Sequence, residues 1–153
     1  LENEFLERTM TREAAVRESP DSPAAILALA THYDDQAFAG LLDATREQDC
    51  RVRSADGYTR YLLRHPDDHA ARFRLARLQQ RRGLWTDAEQ LFRELTAAGN
   101  TGARQWFMEN LVVQRRYAEL RAVALNGFRR GFGPPDFLER AAGEADRAWS
   151  AAA

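Results

Sequence analysis

The sequence predicts an all-α fold built from antiparallel helix pairs with flanking capping helices. Three observations carry this expectation. Alanine, leucine, arginine and glutamate, all good helix formers, recur in blocks of about a dozen residues divided by proline, glycine or aspartate breaks. Alternating β-branched runs bounded by Asn-Gly or Asp-Gly turns are missing, and Asp56-Gly57 leads straight into a helical pattern. The breaks are short, and short connections imply antiparallel neighbours.

The first block covers residues 2–18 and stops at Ser19-Pro20-Asp21-Ser22-Pro23, where two prolines remove backbone donors and restrict the residues before them. Ser22 then reads as an N-cap with Pro23 at the first helical position. The second block places Ile26, Leu27, Leu29, Ala30 and Tyr33 on its buried side. Asp34 and Asp35 are expected to open a third helix, with Phe38, Leu41 and Leu42 on one face. A less regular stretch is expected over 49–57, before a helix carrying Tyr58, Tyr61 and Leu62. At His65-Pro66-Asp67-Asp68 the proline ends one helix and the aspartates start the next. From there helices are predicted at 69–82, 85–98, 101–114, 117–130 and 135–152, with breaks at Gly83, at Gly99-Asn100 and over 131–134.

A chain of 153 residues suffices for one domain with a real core, since a domain of about 150 residues buries about 70% of its unfolded surface. Its hydrophobic share of 44% and charged share of 29% exclude wholesale disorder. The net charge of -1 lacks the basic excess expected of a nucleic-acid or anionic-membrane binder. All 22 positive residues are arginine, as a GC-rich bacterial coding sequence favours. Cys50 is the only cysteine, so neither an internal disulfide nor a cysteine metal cage is expected. No apolar run reaches the roughly 18 residues of a membrane span, and residues 1–5 carry two glutamates instead of a basic signal-peptide region. A cytoplasmic location is the expectation. The alternative, suggested by the leucine at position 1, is a fragment of an envelope or larger multidomain protein.

Residues 69–100 hold a specific pattern. Leu75 and Ala76 are a large and a small residue in the first helix, Gly83 stands at the turn, and Trp85 starts the second helix. Ala88 is small, Phe92 is a large aromatic, and Pro66 precedes the unit. On these residues the segment resembles a tetratricopeptide repeat, a helix pair recurring about every 34 residues. Packing supports the same pattern independently. Helices in close contact need a small residue where their axes cross and a large one beside it, and a single hairpin cannot bury both faces, so neighbours stack. One period earlier, Tyr58 takes the large aromatic position, Phe38 and Leu41 fall in the first helix, and Asp49 replaces the turn glycine. One period later, Trp106 and Phe107 align with Arg72 and Phe73, and Arg115-Arg116 with Arg81-Arg82, while Leu120, Val123 and Ala124 stand where the aromatic belongs. The resemblance implies a right-handed superhelix, a solenoid, with 1–34 as N-terminal capping helices, 35–131 as repeat core and 132–153 as C-terminal capping helix. The half-a-tetratricopeptide class or another helical-hairpin solenoid stays open.

Catalytic signals are weak. His65 and His69 straddle Pro66, Asp67 and Asp68 read as helix caps, and no metal is expected there. His32 beside Tyr33 reads as a packing residue. Cys50, between Asp49 and Arg51, forms no nucleophile motif. No phosphate loop or nucleophile elbow occurs, and Gly131-Phe132-Gly133-Pro134-Pro135 puts proline where phosphate-binding amides are needed. No enzyme activity and no cofactor are expected.

In the family resembled, the first helix of each repeat lines a concave groove. The matching positions here are Phe73, Arg74, Arg77, Gln80 and Arg81, then Arg104, Phe107, Met108, Leu111, Gln114 and Arg115. Arg74, Arg77 and Arg81 share a face by their spacing of three and four. Guanidinium forks suit carboxylates, and Phe73 and Phe107 can hold apolar side chains. The expected function is a protein-interaction module, a scaffold or adaptor. It binds an acidic protein or peptide through Phe73, Arg74, Arg77, Arg81, Arg104, Phe107 and Gln114. The lysine and asparagine pattern with which family members grip a terminal carboxylate is absent. The alternatives are an accessory domain of a larger enzyme whose catalytic part lies outside this chain, and self-association through Trp106, Phe128, Phe132 and Trp149.

Overall fold

The structure, a computed structural model, describes residues 2–40 and 42–129. Leu41, the helix expected at 135–152, Phe132, Trp149 and the side chain of Phe128 lie outside the described residues. All regular structure among the described residues is helical: α1 (Glu2–Glu18), α2 (Pro23–Phe38), α3 (Ala44–Leu62), α4 (His69–Arg81), α5 (Trp85–Ala97), α6 (Thr101–Val113) and α7 (Tyr117–Arg129). The helix starts at 69, 85, 101 and 117 are those the sequence breaks predict. Side chains set several of them. Asp43 Oδ1 accepts from the Thr45 and Arg46 amides at 3.0 Å each, and Asp68 Oδ1 accepts from Ala71 at 3.0 Å. Asn100 Oδ1 accepts from Ala103 at 2.9 Å, and Ser22, followed by Pro23, caps α2 as expected. Each cap satisfies at least one donor that the helix itself leaves open.

Two expectations fail in the first half. Asp34 and Asp35 do not open a helix, because α2 runs through both to Phe38. Residues 49–57 are not irregular, because α3 spans them. The break lies between these points, where Gly40 takes φ +67° and Asp43 caps α3. The reasons are tertiary. The Asp34 carboxylate is used in an ion pair with Arg74 and not as a cap. Gly57 is the point where α3 meets α2: a Cβ there would lie 2.7 Å from the Ala30 Cβ.

The chain divides into two compact units, Leu1–Leu91 and Phe92–Ala153, the division falling within α5. In the first, α1 packs on α2, α2 on α3 and α3 on α4. The glycine contact brings the α2 and α3 backbones close enough for Ser54 Oγ to donate to the Ala30 carbonyl at 2.8 Å. Ala30, Ala55, Tyr58, Ala71, Leu75 and Leu78 form a core cluster, against which Leu27, Phe38, Tyr61, Leu62 and Leu91 pack. A smaller cluster joins Tyr33, Ala37 and Cys50. Helix α1 is tied down by polar contacts. Thr9 bonds His32 at 2.8 Å, and Tyr33 donates to Glu13 at 2.6 Å.

In the second unit α6 packs on α7, and Phe92 stacks on Trp106 with ring centroids 6.4 Å apart. Phe92, Leu95, Ala103, Phe107, Leu111 and Leu120 are buried.

Along the chain the last four helices recur at an offset of 32 residues, α4 to α6 (69 to 101) and α5 to α7 (85 to 117). The alignment at 34 that pairs Phe107 with Phe73 is therefore displaced, and Phe107 corresponds to Leu75. Buried positions match in this register: Ala71 with Ala103, Leu75 with Phe107, Ala76 with Met108 and Ala88 with Leu120. The turns match too. The Leu84 amide donates to the Gln79 carbonyl and the Arg116 amide to the Leu111 carbonyl, both at 2.9 Å. Gly83 has φ +77° and Arg115, in the equivalent place, +58°.

Candidate functional site

Helix α4 presents Arg74, Arg77 and Arg81 toward residues of α2 and α3. Arg74 Nη1 donates to Asp34 Oδ2 at 2.8 Å and to Asp35 Oδ1 at 3.4 Å. Asp34 is buried, and the Tyr58 hydroxyl also donates to its Oδ2, at 3.4 Å. Burial pushes the Asp34 carboxyl above its ordinary value, and the Arg74 hydrogen bond opposes this. Burial also raises the Tyr58 hydroxyl to about 12, so it remains a donor at neutral pH. Arg74 therefore acts as a tie between α4 and α2. Removing it would strand a buried carboxylate, which is costly.

The other two arginines are placed differently. The Arg77 and Arg81 guanidinium carbons lie 4.2 Å and 4.1 Å from the centroid of the Phe38 ring, and Arg77 is also 6.0 Å from that of Phe73. Such cation–π contacts contribute about 0.5–1 kcal/mol at exposed sites. Partial burial, then the nearby Arg51 and Arg77 charges, hold Arg81 below the ordinary arginine value. Arg51 pairs with Glu47 on α3. The guanidiniums thus lie on an apolar support, where Glu47 and Asp34 offset part of the repulsion among them, and a further carboxylate approaching Arg77 and Arg81 relieves more of it.

The expected residues of the second unit separate. Arg104 and Phe107 line a pocket of about 320 Å³, together with Arg93 from α5 and Val123, Asn126 and Gly127 from α7. Phe107 is itself buried, and the Arg93 guanidinium lies 5.1 Å over its ring. Gly127 stands inside α7, where glycine costs about 1 kcal/mol relative to alanine. Its place has a reason: a Cβ there would fall 2.9 Å from Arg104 Cζ and closer still to Nη1. Gln114 is not in that lining. It caps α6 and donates to Asn110 of its own helix.

Sequence reading missed Phe38, Arg51, Arg93 and Gly127 as parts of these sites. One signal was present: Asp34 and Phe38 are four apart on a helix, so they share a face. Other polar groups are quiet. Cys50 is buried, and burial, then Asp49, raises its thiol, which makes it a poor nucleophile. The His65 ring stacks on Tyr61 at 4.7 Å. Among the described residues no helix is long and apolar enough to cross a membrane. Comparison with family models, curated proteins and solved structures finds no match.

Proposed function

We propose that the chain is a tetratricopeptide-like helical-hairpin module that binds an acidic segment of a partner protein on the α4 face of its first unit. One observation carries this reading: Arg77 and Arg81 both rest on Phe38, with Arg51 close enough to depress Arg81. Guanidiniums fixed on an aromatic ring lose less freedom on binding than solvated ones, and they present forks suited to carboxylates. The offset of 32 residues from the α4–α5 pair to the α6–α7 pair supports the repeat reading.

The test is a titration with a labelled peptide of alternating glutamate and leucine, against the parent and an Arg77→Glu, Arg81→Glu double variant. The reversal weakens binding by about 2 kcal/mol or more, and parent binding falls as salt rises. Circular dichroism controls for folding. Equal affinities would make these arginines an ordinary solvated face.

A further inference from the structure

The pocket in the second unit has chemistry of its own. Among the described residues lining it, Arg93 and Arg104 carry the only charges, and no acidic side chain contributes. Glu119 pairs with Arg93 at 3.5 Å and with Arg116 through two nitrogens, at 2.8 and 2.7 Å. The remaining wall is largely apolar, with Ala97, Phe107 and Val123. Thr96, Asn100, Thr101 and Asn126 add neutral polar groups to the lining. A cavity of about 320 Å³ lies at the small end of ligand pockets.

Gly127 gives this arrangement direction. Glycine is a poor helix former, yet it stands inside α7 at the point where the Arg104 guanidinium lies against the helix. Any side chain there would displace that guanidinium. The glycine thus leaves room for Arg104 in the pocket wall at the expense of helix stability, a local compromise of the kind found at functional sites.

We propose that this pocket binds a small organic carboxylate with an apolar body, of the aromatic or branched-chain type. The carboxylate sits between Arg93 and Arg104, and the body lies against Phe107 and Val123. The guanidinium fork matches a carboxylate in two parallel hydrogen bonds, and the apolar wall favours an organic acid over inorganic phosphate, which has nothing to place there. The inference is independent of the α4 reading, because every residue used lies between 92 and 129.

The test uses the full chain, isotope-labelled and followed by NMR titration. The probes are phenylacetate, the neutral isostere phenylacetamide, inorganic phosphate, and a short peptide ending in phenylalanine with a free or an amidated terminus. Phenylacetate binds at least tenfold more tightly than phenylacetamide or phosphate, with shifts at Arg104, Phe107 and Gly127. Tighter binding of the free-terminus peptide assigns the carboxylate to a chain end, and equal or weaker binding assigns it to a free acid. Arg104→Gln and Gly127→Ala each weaken phenylacetate at least tenfold. The alanine variant melts no lower than the parent, because only the end of a flexible side chain has to move. Equal affinity for acid and amide, phosphate binding as tightly as phenylacetate, or full affinity in the folded Gly127→Ala variant overturns the proposal.

Discussion

Gly57 and Gly127 both stand inside helices, and the surroundings of each decide what an added methyl does. At Gly57 the obstacles are the Ala30 Cβ at 2.7 Å and Cα at 3.3 Å, neither of which can rotate away. Gly57→Ala should therefore lower stability by about 1–3 kcal/mol through overpacking, although alanine is the better helix former. Chemical denaturation measures this, and an unchanged or raised midpoint would mean that α2 and α3 do not meet at Ala30. Gly57 also shows why single residues are read poorly from sequence. A glycine that permits close approach and a glycine that makes a turn look alike until the neighbouring helix is placed. Asp34 misleads in the same way: its carboxylate suits an N-cap, and only the position of Arg74 shows that it serves an ion pair.

The helices were more legible than the residues within them. Caps and breaks act locally, so Ser22-Pro23, Asp68, Gly83 and Gly99-Asn100 fixed ends without tertiary information. Register between helix pairs was less visible, because two signals were altered in the later pair. Large and small residues exchange places: Ala88 and Phe92 in α5 correspond to Leu120 and Ala124 in α7. A search for an aromatic at the second place finds alanine. The turn glycine is replaced by Arg115, held at φ +58°. A non-glycine residue in this region carries a backbone cost that glycine avoids. Arg115→Gly should therefore raise stability by about 1 kcal/mol, read as a higher denaturation midpoint. A lower midpoint would indicate that the Arg115 side chain contributes more than its backbone costs.

For the molecule as a whole, the all-α class followed from helix-forming blocks and short breaks, and the described residues carry no strand. The candidate site was half legible. The α4 stripe could be read because its spacing is a property of one helix. Phe38 and Arg51 come from other helices, so only packing brings them to it. The division into two units explains the rest: Phe73, Arg74, Arg77 and Arg81 belong to the first, and Arg104, Phe107 and Gln114 to the second. The central claim is that the guanidiniums on Phe38 form a binding surface. The most direct measurement is amide and side-chain shift mapping of the labelled chain with the glutamate–leucine peptide. Saturable shifts should cluster at Phe38, Arg51, Arg77 and Arg81 and vanish in the double charge-reversal variant. Shifts that avoid these four residues, or none at saturating peptide, would contradict it.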